Sequence, residues 1–444
     1  MVIASIDIQQ GRVVQLKQGR ELVLQQDNAT ELAETFDRYG EVAVIDLDGA
    51  MGRGSNGDLI KPLLRKAQCR VGGGIRTVEQ ARELVSLGAQ QIIIGSQALE
   101  RPGARGAAFR LNQDFLKALG TEIGRERVMV AIDAQSREPG NYEIVIDGWK
   151  TPTGLGLIET AQALEPFVGA LLFTGVEREG TMQGIDLATV KDLREGVSCG
   201  LTVAGGVSTL EEIEALAALG CDVQLGMALY TGRIDLGEAF IRSLNWEKGA
   251  SPQGALLPVI AQSPDGQVMM TGFADKTAVA ESFKRGKLCF HSRTRNTLWM
   301  KGEGSGNTLA LRKLRADCDR DALLAVVEPA GPVCHTGNYS CFETRRRYTW
   351  EYLQSIIADR FRNPCPGSYT ATLDDPLVRE KIMEEAQEVC TAKTHGEVVW
   401  EAADLLFFTT ALMTREGVTV AEVLDELDRR HTCGVHNRRP PREG

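Results

Sequence analysis

The chain has 444 residues, of which 43% are hydrophobic and 25% charged, and its formal net charge is −10 at pH 7. This length predicts about two to four globular domains, and the acidic balance argues against a general nucleic-acid binder, because a polyanion needs a basic partner surface. The first residues form no basic leader, no apolar run is long enough for a bilayer, and the ten cysteines are scattered. We therefore expect a cytoplasmic protein in a reducing compartment, with no membrane partner.

Residues 1–247 alternate short, continuously apolar segments with segments of helical periodicity, such as 77–87 and 209–219. Strands buried on both faces read as continuous apolar runs, so this alternation predicts a parallel sheet covered by helices. Eight such units predict a closed (β/α)8 TIM barrel, and an open doubly wound sheet is the alternative. The predicted strands are Val2–Ile8, Val42–Asp48, Cys69–Gly73, Gln91–Ser96, Val128–Ala134, Leu171–Val176, Leu201–Gly205 and Val223–Gly226.

The predicted barrel repeats itself. The segment Ile6–Gln9 recurs as Ile132–Gln135, and Val71–Thr77 recurs as Val203–Thr209. In each copy a helix, a Leu-Gly pair and a further strand follow. The repeat predicts two half-barrels with matching sites on opposite sides of one mouth.

Two aspartates lie at the carboxyl ends of predicted strands one and five, where barrel active sites are found. Asp7 and Asp133 would face each other across the mouth, and an opposed carboxylate pair suits general acid/base work on one substrate. The alternative is that each aspartate caps a helix or pairs with a nearby base.

Glycine-rich turns follow several predicted strands and would let backbone N–H groups approach a phosphate at helix N-termini. Because the repeat places these turns symmetrically, they imply a substrate with two phosphates. The candidate phosphate-binding residues are Gly73, Gly74, Gly95, Ser96, Gly205, Gly206 and Gly226.

A domain boundary is predicted near residues 245–254, which are rich in glycine, proline and serine. Beyond it, short strands with turns such as 264–266 predict a small β-rich α+β domain over residues 248–343. The pattern then turns helical, with helices predicted over 353–362, 376–394, 397–415 and 420–431. This indicates an all-α domain over residues 344–444.

Three cysteines and three aspartates cluster between residues 317 and 341. Thiolates suit Zn²⁺ and carboxylates suit Mg²⁺, and three sulfurs leave one tetrahedral position for water, which is typical of a catalytic site. This pattern predicts metal-assisted hydrolysis; the alternative is a structural zinc knuckle completed by His335, with the aspartates in a solvated turn. The candidate ligands are Cys318, Cys334 and Cys341 for Zn²⁺ and Asp317, Asp319 and Asp321 for Mg²⁺.

The helical domain carries two pairs of acids. Glu384 and Glu388 lie one turn apart on one predicted helix, and Glu401 and Asp404 do so on the next. Facing acids repel each other unless a divalent cation lies between them, so we expect Mg²⁺ there. The alternative is two solvated charged faces.

The motifs of residues 1–247 resemble those of ProFAR isomerase, the barrel enzyme of histidine synthesis. The segments that carry the resemblance are Ser5–Asp7, Asp46–Ala50, Val71–Arg76, Ala131–Asp133, Gly148-Trp149 and Glu179–Thr181. The resemblance implies an Amadori rearrangement of an aminoaldose to an aminoketose by proton transfers, with Asp7 as one acid/base group. Asp133 and Thr174 would line the site, and Trp149 would stack on the substrate.

The sequence departs from the isomerase pattern after the sixth strand. The family has Thr-Asp and then Arg-Asp-Gly-Thr, whereas this chain has Thr174-Gly175 and then Arg178–Thr181. Glu179 thus replaces the aspartate expected to be the second acid/base group, which keeps the carboxylate but adds a methylene. Gln15 stands where the family commonly has an arginine.

The middle domain resembles phosphoribosyl-AMP cyclohydrolase. The matching segments are Ser292–Arg295, Leu298-Trp299, Lys301–Glu303, Ser305–Asn307, Asp317–Asp321 and Gly331–Phe342. The resemblance implies Zn²⁺ on the three cysteines, drawn from two subunits, Mg²⁺ on the three aspartates, and hydrolytic opening of an adenine ring. His335 is then a candidate proton shuttle or a structural hydrogen bonder. Phosphate would meet Arg293, Lys301, Ser305 and Gly306.

The pattern Glu-Glu-x-x-Glu followed by Glu-x-x-Asp resembles the all-α nucleotide pyrophosphohydrolases, and with Gly367–Thr370 and Lys381 it resembles phosphoribosyl-ATP pyrophosphohydrolase. The resemblance implies that Mg²⁺ bridges a diphosphate and activates a water. Glu385 is a candidate catalytic acid beside the predicted ligands, and Lys381 a candidate substrate contact.

The three resemblances together predict a trifunctional enzyme of histidine synthesis. Phosphoribosyl-ATP would lose pyrophosphate at the C-terminal domain, the adenine ring would open at the middle domain, and the barrel would isomerise the product. We expect a homodimer or larger assembly through the last two domains. Two alternatives are a bifunctional cyclohydrolase/pyrophosphohydrolase with a degenerate barrel and a zinc-stabilised scaffold without catalysis.

Overall fold

A closed sheet of parallel strands forms the centre of the N-terminal region. The computed structural model describes residues 1–101, 108–138, 140–251 and 254–432. Within them, each of eight barrel strands pairs in parallel with its neighbour in sequence, and the last pairs with the first. This confirms the predicted barrel and excludes the open sheet. The strands β1 to β8 are Val2–Gln9, Val42–Asp46, Cys69–Gly72, Gln91–Ile94, Val128–Glu138, Ala170–Gly175, Gly200–Ala204 and Asp222–Leu225.

Helices cover the outside of the barrel. Thr77 and Thr209 begin equivalent helices of the two half-barrels, and each forms a capping box with Gln80 or Glu212 three residues on. The sequence repeat is therefore also a structural repeat. The main helices α1 to α8 are Ala29–Asp37, Gly57–Leu64, Val78–Ser86, Gln113–Ile123, Leu157–Leu164, Leu187–Gly196, Leu210–Ala218 and Leu236–Arg242.

The barrel strands bury both of their faces. On β4, Ile92 and Ile94 pack in the layer beneath the helices, whereas Ile93 packs in a smaller interior layer with Met129 and Leu172. Successive strand residues point to opposite faces. Both faces are apolar here, which is why the strands read as continuous apolar runs.

Two pairs of antiparallel strands, here called excursions, extend the sheet at the mouth of the barrel. A hairpin of Arg12–Lys17 and Glu21–Gln26 follows β1. The long strand β5 continues into a second excursion of Asn141–Ile146 and Thr151–Gly156. These excursions carry Gln15 and the neighbourhood of Trp149, so they bring residues to the mouth that the strand pattern alone did not place.

The middle region is built from a four-stranded sheet, a two-stranded ribbon and one helix. The strands β9 to β14 are Leu257–Gln262, Val268–Ala274, Cys289–Ser292, Thr297–Met300, Leu309–Ala316 and Leu323–Pro329, and helix α9 is Lys276–Arg285. The larger sheet has the order β10-β9-β14-β13, and β11 pairs with β12. The chain divides into two compact units, and residues 1–263 with 268–337 form the first, so barrel and sheet belong to one unit.

The second unit comprises residues 264–267 and the chain from residue 338 onward, and it is helical. Leu353, Ile357, Val378 and Phe408 belong to its core. Its helices α10 to α13 are Trp350–Arg362, Asp375–Thr391, His395–Arg415 and Val420–Thr432, which confirms the four predicted helices. No helix of the described residues is long and apolar enough to cross a membrane.

Short elements complete the described structure. They are the helical turns Leu47–Met51, Ser96–Ala98, Arg125–Arg127, Glu165–Phe167, Met227–Tyr230 and Tyr369–Thr372, and the short strands Leu99–Glu100, Arg110–Leu111, Ala250–Ser251 and Gly254–Ala255.

Candidate active sites

Three carboxylates converge at the mouth of the barrel. Burial raises the pKa of Asp7 to about 6 and also raises the pKa of Asp133. Burial, together with the negative charges of Asp7 and Asp133, raises the pKa of Glu179 to about 8. Carboxylates with pKa values driven apart by burial and like charge can divide acid and base roles at neutral pH.

The two strand aspartates are held by neighbouring donors. Ser5 Oγ donates to Asp7 Oδ1 over 2.7 Å, and Trp149 Nε1 donates to Asp133 Oδ2 over 2.9 Å. Thr174 on β6 lies directly opposite Asp133 on β5 in the parallel register and also hydrogen-bonds its carboxylate. These contacts fix both aspartates and bring Thr174 and Trp149 next to Asp133. The predicted stacking of Trp149 on the substrate stays a prediction.

Glu179 is carried by the loop after β6. The N–H of Gln18 donates to the carbonyl of Glu179 over 3.0 Å, so the hairpin after β1 holds this loop. A Cβ at Gly205 would lie 2.9 Å from Glu179 Oε2. The glutamate side chain thus extends toward Asp7 and Asp133 and occupies the space left by that glycine.

The paired glycines after β3 and β7 adopt left-handed backbone conformations. Gly74 has φ +74° and Gly206 has φ +90°. A Cβ would come within 2.5 Å of backbone Gly49 at the first position and of the carbonyl of Gly184 at the second. Only glycine fits such positions, so both half-barrels need these turns for close backbone packing, whatever else the turns bind.

A cavity of about 620 Å³ opens beside Ser96. Four cations contribute to its lining, namely Arg53, Arg76, Arg101 and Lys150. Two acids also line it, and one of them, Asp147, pairs with Arg101, but the excess of positive charge suits a phosphate group. The strand pattern did not single these cations out, because they come from four segments far apart in sequence. A search for basic residues after strand ends would have found Arg53 and Arg76.

Gln15 lies on the hairpin after β1 and adjoins Gly226, the counterpart of Gly95 in the second half of the repeat. It is only 3% exposed, and its Nε2 has no hydrogen-bond partner among the described residues. Its Oε1 lies 2.9 Å from where a Cβ of Gly226 would be. A buried amide nitrogen without a partner is costly, and this one is close to Gly226, a predicted phosphate-binding glycine.

The acidic loop of the middle region is a tight turn. Asp317 Oδ1 accepts the N–H groups of Asp321 and Ala322 over 3.0 and 3.1 Å. Carboxylate oxygens of Asp317, Asp319 and Asp321 lie within 4.8 Å of one another, and Lys248 Nζ contacts the latter two. This hydrogen bond with Lys248 helps to hold the pKa of Asp319 below its ordinary value. The loop therefore already carries a cation where a metal ion is predicted.

The predicted zinc ligands belong to both units. Cys318 is exposed in the acidic loop, and Cys334 is half-buried after β14, with its Sγ 3.1 Å from Thr336 Oγ1 and 3.8 Å from His335 Nδ1. Cys341 is exposed and belongs to the second unit.

The predicted phosphate contacts of the middle region are exposed or half-buried. Arg293 stacks on Phe273 at 3.8 Å, and the turn of Ser305 and Gly306 folds back on Gly302; Lys301 is half-buried beside it. The structure adds His291, held between Asp275 and Asn296, which the sequence did not single out.

In the second unit an acidic cluster joins α11 and α12. Glu385, Glu388 and Glu401 bring carboxylate oxygens within 4.8 Å of one another. Burial, with the charge of Asp404 and then of Glu388, raises the pKa of Glu385. Glu384 instead accepts from Lys381 Nζ over 2.6 Å. The structure thus puts Glu385, predicted as a catalytic acid, in the cluster that includes two of the predicted ligands.

Family models match the chain in three consecutive segments. The histidine biosynthesis protein family matches residues 1–235, phosphoribosyl-AMP cyclohydrolase matches 270–343, and phosphoribosyl-ATP pyrophosphohydrolase matches 351–431. The chain belongs to the histidine biosynthesis proteins. It is a fusion of the three families, in the order predicted from the sequence.

Individual relatives cover either the barrel or the remainder. Over 246 residues, 54% of this chain and 97% of the relative, the barrel is 36% identical to an imidazole-4-carboxamide isomerase of Methanocaldococcus jannaschii. The rest is 36% identical to the histidine biosynthesis bifunctional protein HisIE of Pyrococcus furiosus over 208 residues, 44% of this chain and 98% of the relative. The protein of that name from Bacillus subtilis is 37% identical over 195 residues, 40% of this chain and 93% of the relative.

Proposed function

We propose that this chain catalyses three successive steps of histidine biosynthesis in the cytoplasm. It would hydrolyse phosphoribosyl-ATP to phosphoribosyl-AMP and pyrophosphate, open the adenine ring to give ProFAR, and isomerise ProFAR to PRFAR. The observation that carries this proposal is the run of three matched family segments in one chain. Their limits also support the proposed domains 1–247, 248–343 and 344–444.

In the barrel, Asp7 and Glu179 would be the acid/base pair of the rearrangement. With pKa values of about 6 and about 8, Asp7 is ionised and Glu179 protonated at neutral pH. Asp7 can then accept a proton while Glu179 donates one, which is the division of roles that an Amadori rearrangement needs. Asp133, fixed by Trp149 and Thr174, would hold substrate hydroxyl groups.

The substrate phosphates would bind on both sides of the mouth. The cavity beside Ser96 offers four cations at one side. The unpaired Nε2 of Gln15 offers a donor beside Gly226 at the other. Gly73, Gly74, Gly95, Gly205 and Gly206 stay predicted backbone contacts in these two regions.

In the middle region the acidic loop fits a metal ion, because three carboxylates lie close together and two of them already contact the ammonium group of Lys248. We propose Mg²⁺ at Asp317, Asp319 and Asp321 and Zn²⁺ at Cys318, Cys334 and Cys341. Zinc when bound lowers the pKa of a coordinated water to about 7 and so supplies hydroxide. His335, next to Cys334, would move a proton, and Arg293, Lys301, Ser305 and Gly306 would hold substrate phosphate.

In the helical unit we propose Mg²⁺ at Glu388 and Glu401, with Glu384 and Asp404 as the other predicted ligands. The raised pKa of Glu385 supports this, because acids crowded at one place hold their protons unless a cation joins them. Glu385 would order the attacking water, and Lys381 would contact the diphosphate.

We propose a homodimer or larger assembly through the last two domains. Support comes from apolar side chains that helix α12 exposes, since Trp400 is 70%, Val399 57% and Val398 45% exposed. Contiguous exposed apolar residues favour a protein partner. A second copy of the chain would also allow cysteines of two subunits to share one zinc ion.

The proposal is tested by incubating the purified chain with phosphoribosyl-ATP, Mg²⁺ and Zn²⁺ and measuring the product of each step. All three products should appear. If ProFAR accumulates unchanged, the bifunctional alternative with a degenerate barrel replaces this proposal.

Zinc removal distinguishes this proposal from the remaining alternative, a zinc-stabilised scaffold without catalysis. Zinc-stripped chain should lose ring opening and keep pyrophosphate release with Mg²⁺. A scaffold would show no turnover in either state, and its middle domain would unfold without zinc. Persistence of both hydrolytic activities without zinc would contradict the zinc assignment.

A further inference from the structure

One residue of the acidic loop points away from the predicted metal ligands. Arg320 lies in the middle of the loop that carries Asp317, Cys318, Asp319 and Asp321. It is only 9% exposed, whereas Cys318 is exposed. Its backbone has φ +63°, a left-handed conformation that residues with a Cβ rarely adopt.

The side chain of Arg320 packs against the turn that joins α7 to β8 of the barrel. Its Nη1 donates to the carbonyl of Ala217 over 2.8 Å, and its Nη2 donates to the carbonyl of Cys221 over 3.0 Å. Both carbonyls lie at the end of α7 and in the turn before β8, and Asp222 lies 3.8 Å from the same guanidinium. Cations are stabilised near the C-terminal end of a helix, and two carbonyls close together suit the fork of an arginine side chain.

The backbone of the loop is held from the barrel side as well. The N–H of Asn245, in the segment that leaves the barrel, donates to the carbonyl of Arg320 over 2.9 Å. A strained backbone persists only where its surroundings hold it. Here the side chain and the carbonyl of Arg320 are both held, so the flanking residues Asp319 and Asp321 are turned the other way, toward Lys248.

We propose that Arg320 is a positioning residue through which the barrel holds the loop of residues 317–321 in the conformation that presents Cys318 and its neighbouring carboxylates to a metal ion. This inference rests on the proposed metal site at Cys318. If Arg320 has this role, metal binding in the middle domain depends on a contact with the isomerase barrel. The fusion of the two domains would then stabilise the metal-binding loop.

The test is Co²⁺ titration of the full-length chain, followed by the thiolate-to-cobalt charge-transfer absorption. The variants are Arg320→Ala, Arg320→Gly and Arg320→Lys. Loss of a residue that orients metal ligands weakens metal affinity about 10- to 100-fold, so we expect that loss for Ala and Gly. Arg320→Lys should lose less, because one cation remains at the helix end. The glycine variant removes the side chain of Arg320 without straining the backbone, because glycine adopts the left-handed conformation freely. A loss of affinity in this variant is therefore due to the missing side chain.

Arg312→Ala is the matched control, since Arg312 is an exposed arginine on β13 that pairs with Glu328. It should bind Co²⁺ like the unchanged chain. Isomerase turnover serves as the check that the barrel of each variant is folded. If Arg320→Ala and Arg320→Gly do not fold, the Arg320→Lys titration decides, and an unchanged affinity there overturns the proposal.

The outcomes also separate this inference from the metal site on which it rests. If the unchanged chain shows no band that Cys318→Ser removes, the metal site at Cys318 is wrong, and the inference fails with it. If that band is present and Arg320→Gly retains full affinity, the metal site stands and only the role of Arg320 is overturned.

Discussion

Replacing Glu179 by glutamine tests the chemistry of the barrel most directly. Glutamine keeps the size and hydrogen-bonding capacity of a protonated glutamate but has no acidic proton to give. General acid–base groups contribute about 10²- to 10⁴-fold to rate, so kcat/KM for isomerisation should fall within that range. In the unchanged chain, kcat/KM should be bell-shaped in pH, with limbs near the pKa values of about 6 and about 8 of the coupled carboxylates.

The same substitution should change how stability depends on pH. The carboxyl of Glu179 has a pKa of about 8 when folded against 4.5 ordinarily, a gap of about 3.5 pH units, or at most about 5 kcal/mol. Between these two pH values the folded chain binds more protons than the unfolded one, so the free energy of unfolding falls as pH rises through the window. Because the protonation of Glu179 is coupled to that of Asp7 and Asp133, the measured fall in the free energy of unfolding should be smaller than this upper value.

The assay is urea denaturation of Glu179→Gln and of the unchanged chain at pH 5 and pH 9, followed by tryptophan fluorescence. Glutamine does not titrate, so the variant should gain stability relative to the unchanged chain at pH 9 and much less at pH 5. Glu195→Gln removes an exposed carboxylate of α6 and should give the same difference at both pH values. An isomerase rate within tenfold of the unchanged chain, or a stability difference independent of pH, would refute the assignment of Glu179 as a buried acid.

Three further changes test the other sites. Glu388→Gln should reduce Mg²⁺-dependent pyrophosphate release at least about tenfold and leave isomerisation unchanged; equal release would contradict the acidic cluster as a metal site. Cys318→Ser should abolish zinc-dependent ring opening, measured by absorbance, while pyrophosphate release continues; normal ring opening would remove Cys318 from the ligands. Gln15→Leu should raise KM for ProFAR about tenfold, the loss of one hydrogen bond to a charged group, with kcat less affected, and an unchanged KM would show that its amide does not face the substrate.

Local periodicity was sufficient to predict the barrel. Its strands are buried on both faces, and Thr77 and Thr209 mark two helix starts through their capping boxes, so short-range signals define each unit. The same holds for the four C-terminal helices. These elements are specified by residues a few positions apart, which a single sequence displays directly.

Contacts between distant segments could not be predicted in this way. Arg320 donates to Ala217 across 103 positions of sequence, and a pattern of acids and cysteines gives no sign of it. The acidic cluster of α11 and α12 differs from the predicted set of ligands for a related reason. Spacing alone pairs Glu384 with Glu388, but the rotation of the packed helix decides that Glu385 turns inward and Glu384 meets Lys381.

The two-fold repeat of the barrel affects the orientation in which a substrate binds. Two equivalent backbone turns, at Gly74 and Gly206, would accept a molecule with a phosphate at each end equally well either way round. The side chains break this equivalence, because Arg53, Arg76 and Lys150 are among the cations beside Ser96, whereas the neutral amide of Gln15 lies beside Gly226, the counterpart of Gly95. Unequal charge on an almost symmetric frame can therefore select one end of the molecule for each half, so that the proton transfers occur at one sugar and not at the other.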